Sequence, residues 1–141
     1  MEKIFVMKKI EHIGIAVRDL AKANALFAAL LGREHYKVEE VVSEGVKTSF
    51  FEMGESKIEL LAATGPDSPI ARFLEKRGEG VHHIAFAVDD IRAEMRRLAE
   101  AGFQPLQEEP RLGADGKWVA FFHPKTTAGV LIELCQDREE A

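Results

Sequence analysis

The sequence predicts an α+β protein of two tandem βαβββ modules that form a shared curved sheet around one cleft. The chain has 141 residues, which suits one domain or two small halves with a common core. An internal repeat pairs residues 10–20 (IEHIGIAVRDL) with residues 81–91 (VHHIAFAVDDI) at an offset of 71. Each copy begins with side chains that alternate with a period of two, as in a strand, and continues with apolar residues at helical spacing. We therefore expect a single domain over 1–141, with modules at 9–62 and 80–135.

The repeat extends well beyond its opening segment. The offset of 71 also places Phe50-Phe51 on Phe121-Phe122, a match that chance rarely produces so far along the chain. Farther on, the Ile-Glu-Leu sequence around Glu59 matches the one around Glu133 at an offset of 74. The three extra residues of the second copy fit in its turn at 123–129.

The opening strand of each module is predicted by alternation and by β-branched residues at 9–17 and 81–88. Alternation gives each strand one face of large apolar side chains, which we expect to pack on helices. The other face combines one histidine with small residues, which leaves room for a pocket. The residues on that face are His12, Gly14 and Ala16 in the first strand and His83, Ala85 and Ala87 in the second.

The helices are predicted by their start and stop residues. Asp19 precedes apolar residues at helical spacing and Gly32 follows them, while Asp90 and Gly102 do the same in the second module. A short helix between the modules begins at Ser68 with proline in its first position.

Composition excludes several classes of function. The formal net charge is −5 with no basic block, so nucleic acid is not an expected partner. No apolar run approaches the roughly 20 residues of a membrane span. The single cysteine, Cys135, excludes an internal disulfide, and we expect it to be a small buried hydrophobe. With no signal-peptide pattern at the start, we expect a cytoplasmic protein.

Two histidines and two glutamates at equivalent positions carry the chemical prediction. If a pseudo-twofold axis relates the modules, His12, Glu59, His83 and Glu133 converge as an N₂O₂ set for a divalent ion. Such a set suits Mn²⁺, Fe²⁺, Co²⁺, Ni²⁺ or Zn²⁺, and it leaves two positions of an octahedral ion open for substrate oxygens. Taken singly, a strand histidine is usually structural and a strand glutamate usually solvated. Duplication, and the apolar neighbours of both glutamates, favour the metal site.

At these residues the chain resembles the vicinal oxygen chelate superfamily, which includes glyoxalases, bleomycin resistance proteins and dioxygenases. Within it, the resemblance is greatest to the family of methylmalonyl-CoA epimerases. The matching segments are IEHIGIAVRD at 10–19, DSPIARFL at 67–74, GVHHIAFAVDDI at 80–91, PRLG at 110–113 and HPKTTAGVLIEL at 123–134.

The resemblance implies a homodimeric enzyme that interconverts (R)- and (S)-methylmalonyl-CoA, an acyl-CoA thioester. It implies a cofactor of Co²⁺ or Mn²⁺, with Zn²⁺ and Ni²⁺ also allowed by the donor set. Matched by position, His12, His83 and Glu133 would be metal ligands, and Glu59 stands at the fourth ligand position. We assign proton transfer to Glu133 and Glu59, and contacts with the anionic substrate to Lys125 and Arg72.

One departure from the family concerns the catalytic base. Some members carry a glutamate three residues after the glycine that matches Gly45, and this chain has Thr48 there. A threonine hydroxyl is too weak an acid to serve as a base near neutral pH. Glu44 is near in sequence, and Glu59 mirrors Glu133.

Three alternatives stay open at this point. A lactoylglutathione lyase, the glyoxalase I activity, would use the same N₂O₂ set. A metal-free module that binds or sequesters small molecules would need no ion. An extradiol dioxygenase would use two histidines and one glutamate with Fe²⁺, which the short chain and the epimerase-like segments disfavour.

Overall fold

The computed structural model describes residues 7–138. Eight strands and three α-helices follow one another as β, α, β, β, β, then one helix, then β, α, β, β, β, which is the predicted α+β class with a duplicated βαβββ pattern. Three short 3₁₀ turns lie at Val42–Glu44, Ala114–Gly116 and Pro124–Thr126. The strands and helices are β1 (Lys9–Ala16), α1 (Leu20–Leu31), β2 (Lys37–Val41), β3 (Val46–Met53), β4 (Ser56–Ala63), α2 (Pro69–Arg77), β5 (Gly80–Ala87), α3 (Ile91–Glu100), β6 (Arg111–Leu112), β7 (Lys117–Phe122) and β8 (Leu131–Asp137).

The chain divides into two compact units. One unit is His12–His82, and among the described residues the other combines residues 7–11 with residues 83–138. The boundaries fall within β1 and β5, so residues 7–11 belong to the unit that contains the second repeat.

The unit of His12–His82 is a mixed sheet with a helix on each face. Strand β1 pairs in parallel with β4, and the antiparallel pairs β4–β3 and β3–β2 extend the sheet. Side chains of α1 pack against one face of this sheet, in a cluster centred on Phe51 and Leu60. On the opposite face, Ile70 and Leu74 of α2 pack against Leu61. That second face is the one that carries His12, so α2 covers part of it.

The other unit repeats this pairing. Strand β5 pairs in parallel with β8, and the antiparallel pairs β8–β7 and β7–β6 follow. Met95 and Leu98 of α3 pack on one face against Phe122 and Leu134. The core of each repeat therefore lies between its large apolar strand face and its own long helix, as the alternation predicts.

The predicted helix starts are confirmed. The carboxylates of Asp19 and Asp90 each accept a hydrogen bond from the backbone N–H three residues on, and Ser68 caps α2 in the same way with Pro69 following it. Gly32 ends α1 in the left-handed conformation at φ 74°. The predicted end of the third helix at Gly102 is slightly wrong, because α3 ends at Glu100 with Ala101 as its cap.

The longest helix within residues 7–138 is α1, with 12 residues. No helix in this part of the chain combines the length and the hydropathy that crossing a bilayer requires.

We predict that Ser49→Ala stabilises the protein. The Ser49 side chain is fully buried, and its hydroxyl oxygen has no hydrogen-bond partner among the described residues. The second repeat places Ala120, also fully buried, at the equivalent position. Removing an unsatisfied buried hydroxyl should raise the free energy of unfolding by about 1 kcal/mol in urea titrations.

The matched control is Ser68→Ala, the same chemical change at a helix cap. The Ser68 hydroxyl accepts a hydrogen bond from the Ala71 backbone at 3.0 Å, so its loss should lower the free energy of unfolding by about 1 kcal/mol. An equal loss of stability in both variants would contradict the prediction for Ser49.

Candidate functional site

In the first repeat, His12 and Glu59 form a buried pair on two parallel strands. Strand pairing places Gly14 directly opposite Glu59, and His12 lies two residues earlier on the same face of β1. Because Gly14 has no side chain, the glutamate can lean toward the imidazole. Nδ1 of His12 lies 3.2 Å from Oε2 of Glu59, and the two side chains are 6% and 5% exposed.

The second repeat builds the same pair. Ala85 of β5 lies opposite Glu133 of β8, and His83 lies two residues before Ala85 on the same face. Nε2 of His83 lies 3.0 Å from Oε1 of Glu133, with side chains 6% and 7% exposed. The register of the histidine, the small residue and the glutamate on the paired strands is therefore the same in the two repeats.

Strand register supports the alignment of the two copies, including its change of offset. Phe50 of β3 lies opposite Glu59, and Phe121 of β7 lies opposite Glu133. The 3₁₀ turn at Pro124–Thr126, between β7 and β8, falls in the segment to which the sequence assigned the three extra residues. Each carboxylate therefore has a phenylalanine as its cross-strand neighbour.

The two phenylalanines contribute different contacts. The Phe121 ring meets the His83 imidazole edge to face, with ring centroids 6.0 Å apart. In the first repeat the Lys37 ammonium lies 4.6 Å from the centre of the Phe50 ring. Phe50 is fully buried.

The chemistry of the donor sets fits a divalent cation. Each pair offers one imidazole nitrogen and one carboxylate oxygen from nearly dehydrated side chains. A buried carboxylate needs a cation or several hydrogen bonds to offset the loss of hydration. Nitrogen with oxygen suits first-row divalent ions, as the sequence predicts.

Two further buried residues make contacts that the sequence did not predict. Cys135 is buried as expected, and its thiol also donates a hydrogen bond to Oε2 of Glu133 at 3.3 Å. Glu11 is 5% exposed, and its carboxylate lies 4.0 Å from the Lys117 ammonium. The available signal for Cys135 was its position two residues after Glu133, which puts both side chains on one face of β8.

The predicted substrate contacts lie in exposed segments. Arg72 is exposed on α2, and its guanidinium donates to the carbonyl of Asp67. Lys125 is exposed in the 3₁₀ turn between β7 and β8, where its backbone N–H donates to Nδ1 of His123 at 3.0 Å. Their side chains are accessible to a ligand, and their roles stay predictions.

The other candidates have distinct environments. Thr48 is 1% exposed in β3, and Glu44 is half-buried at the end of the 3₁₀ turn Val42–Glu44. The imidazole of His82 meets the Phe73 ring edge to face with centroids 4.9 Å apart. His82 therefore packs against α2.

Comparison with known proteins identifies the family. A family model for the glyoxalase/bleomycin resistance protein/dioxygenase superfamily matches residues 11–121. The chain belongs to this superfamily. The ethylmalonyl-CoA/methylmalonyl-CoA epimerase of Cereibacter sphaeroides is 45% identical over 130 residues, which cover 91% of this chain and 97% of the relative.

Two solved structures agree with this assignment over almost the whole chain. The methylmalonyl-CoA epimerase of Mycobacterium tuberculosis has a TM-score of 0.90 and 33% identity, with coverage of 97% of this chain and 93% of that one. A methylmalonyl-CoA epimerase in complex with methylmalonyl-CoA and NH₄⁺ has a TM-score of 0.87 and 36% identity, with coverage of 94% and 96%. The superfamily predicted from the sequence is thereby confirmed.

We predict energetic coupling between His83 and Glu133 in chelator-treated protein. A double-mutant cycle of His83→Ala and Glu133→Gln, measured by urea unfolding, should give a coupling energy of about 1–3 kcal/mol, since the side chains touch in a nearly dry environment. His82→Ala with Glu133→Gln is the matched control, because His82 packs on Phe73 instead. Additive effects in the His83 cycle would contradict the contact.

Proposed function

We propose that this protein interconverts (R)- and (S)-methylmalonyl-CoA. The observation that carries the proposal is the presence, at equivalent strand positions of each repeat, of a buried His–Glu pair, joined through Nδ1 of His12 in the first and through Nε2 of His83 in the second. Similarity to epimerases over 91% or more of the chain supports the substrate class, an acyl-CoA thioester that also carries one carboxylate.

We further propose that His12, Glu59, His83 and Glu133 bind one divalent ion within the shared sheet and cleft predicted from the sequence. Co²⁺ or Mn²⁺ is the expected ion, and the same donors also accept Zn²⁺ or Ni²⁺. When bound, such an ion withdraws electron density from the thioester and carboxylate oxygens of the substrate and so acidifies the carbon between them. The pseudo-twofold relation of the repeats is part of this proposal.

The glutamates move the proton. The α-carbon C–H bond breaks as one carboxylate oxygen accepts the proton, and the electron pair delocalises into the thioester as an enolate. A new C–H bond forms when the second carboxyl group donates a proton to the opposite face of the planar carbon. Glu133 and Glu59 are the proposed residues, because inversion needs one group on each face and the repeat supplies two. Each glutamate would either bind the ion or leave it to transfer a proton, since a carboxylate coordinated to a cation is a poorer base than a free one.

Burial of both glutamate side chains supports their proposed roles in proton transfer. Glu59 and Glu133 are each less than a tenth exposed, so bulk water has little access to the reacting carboxylates. Thr48, which the resemblance places where some members carry a glutamate, is buried, and its hydroxyl is too weak an acid to act as the base. We therefore assign the role of base to Glu59 and Glu133.

The remaining contacts are proposed from chemistry and likeness to the family. Lys125 and Arg72 are exposed cations suited to the phosphates or the carboxylate of an acyl-CoA. A single domain over the whole chain, a homodimer and a cytoplasmic location complete the proposal.

We predict that both glutamates are needed for α-proton exchange. In D₂O, Glu133→Gln and Glu59→Gln should each slow the incorporation of deuterium into methylmalonyl-CoA by about 10²-fold or more, because an amide cannot accept the proton. Mass spectrometry of the recovered thioester measures the exchange. Wild-type rates of deuterium incorporation in both variants would exclude the proposed roles of Glu133 and Glu59.

The same assay separates the alternatives. Turnover of the hemithioacetal of methylglyoxal and glutathione, with no exchange on methylmalonyl-CoA, would identify a lactoylglutathione lyase. Binding of small molecules with neither reaction and with no metal requirement would identify a sequestering module.

We predict that activity and bound metal are lost together on chelation and regained together with Co²⁺ or Mn²⁺. His83→Ala should lower the stoichiometry of bound cobalt, measured by elemental analysis after desalting, because it removes one of four proposed ligands. His82→Ala is the control and should bind cobalt with the wild-type stoichiometry. Full cobalt binding by His83→Ala would exclude this residue as a ligand.

A further inference from the structure

The thiol of Cys135 makes a specific contact with the carboxylate of Glu133. Both residues lie on the same face of β8, and Sγ donates to Oε2 at 3.3 Å. Cys135 is 2% exposed and packs in a small buried cluster with Ala85, Val119 and Phe121. A hydrogen bond in such a dry environment is stronger than the same contact in water.

The two oxygens of Glu133 therefore have different partners. Oε1 lies 3.0 Å from Nε2 of His83, and Oε2 accepts the hydrogen bond from Cys135. Contacts on both oxygens restrict rotation of the carboxylate about its terminal bond. The direction in which Oε1 points is then set by the thiol as well as by the imidazole.

The first repeat lacks this donor. The position equivalent to Cys135, two residues after Glu59, is Leu61. Leu61 is 5% exposed and packs against Ile70 and Leu74 of α2, and its side chain has no hydrogen-bonding group. The two repeats thus share the glutamate but differ in what holds it.

We infer that Cys135 is a positioning residue whose thiol orients Glu133 and prepares its Oε1 to bind the cation. This inference rests on the proposed function, in which Glu133 is a ligand. It assigns the thiol a role as a hydrogen-bond donor to a ligand, and not as a ligand itself. Donors in this second layer commonly change metal affinity by one to two orders of magnitude.

Infrared spectroscopy of the chelator-treated protein tests the contact without metal or turnover. The sequence contains one cysteine, so the S–H stretching band belongs to Cys135 alone. We expect a band lowered by hydrogen bonding that moves to higher frequency in Glu133→Gln, because an amide accepts more weakly than a carboxylate. Glu59→Gln is the control and should leave the band in place. The inference would be overturned if the frequency of the S–H band did not change in Glu133→Gln, or if it changed equally in both variants.

Cobalt affinity, measured by competition with a chromophoric chelator, tests the consequence. Cys135→Ala should weaken Co²⁺ binding by about tenfold, whereas Cys135→Ser, which keeps a donor, should stay within about threefold of the wild-type affinity. Val119→Ala removes packing from the same cluster without removing a donor, and it should leave affinity unchanged. Equal losses in the serine and alanine variants would overturn the positioning role.

The absorption spectrum of the cobalt protein separates donor from ligand. We expect no sulfur-to-cobalt charge-transfer band in the wild-type protein. Such a band, lost in Cys135→Ala, would show that the thiolate binds the metal and would overturn the inference. If the wild-type protein binds no cobalt, the metal part of the proposed function fails, and the infrared result alone decides whether the thiol holds Glu133.

Discussion

Two carboxylates are buried in this protein, each against an imidazole, and the strands that carry them must keep these pairs in contact. An ionised carboxylate that leaves water loses several kcal/mol of hydration, and only close polar or cationic partners compensate this loss. Here the partners lie 3.2 Å and 3.0 Å away, on neighbouring parallel strands. Small changes in strand position would break these contacts, so the sheet must hold its register.

Each repeat fixes that register in the same way. The helix that follows the first strand packs on the large apolar face, and the pairing of first and last strands keeps the small residue opposite the glutamate. A slip of one residue would turn both the histidine and the core side chains to the wrong face. Core packing and site geometry therefore depend on the same strand register. A substitution that disturbs the packing of the core should also disturb the geometry of the His–Glu pairs.

The repeats have diverged where their surroundings differ. Cys135 beside Glu133 corresponds to Leu61, which packs under α2, and the buried Ser49 corresponds to Ala120. The first difference gives the two carboxylates unequal environments. The second leaves an unsatisfied hydroxyl in the apolar core of one repeat only.

The class of fold, the helix starts and the duplicated pattern are predictable from the sequence alone, and so is the choice of two histidines and two glutamates as candidate ligands. These follow from local rules, since alternation assigns a face to every strand residue, a capping aspartate or serine marks a helix start, and self-similarity exposes equivalent positions. Three other features become visible only in the folded protein: the Cys135 thiol reaches Oε2 of Glu133, Glu11 is buried near Lys117, and Leu30 of α1 is 71% exposed. Those contacts depend on side-chain rotamers and on which distant strands and helices become neighbours, and no local pattern in the chain encodes either one.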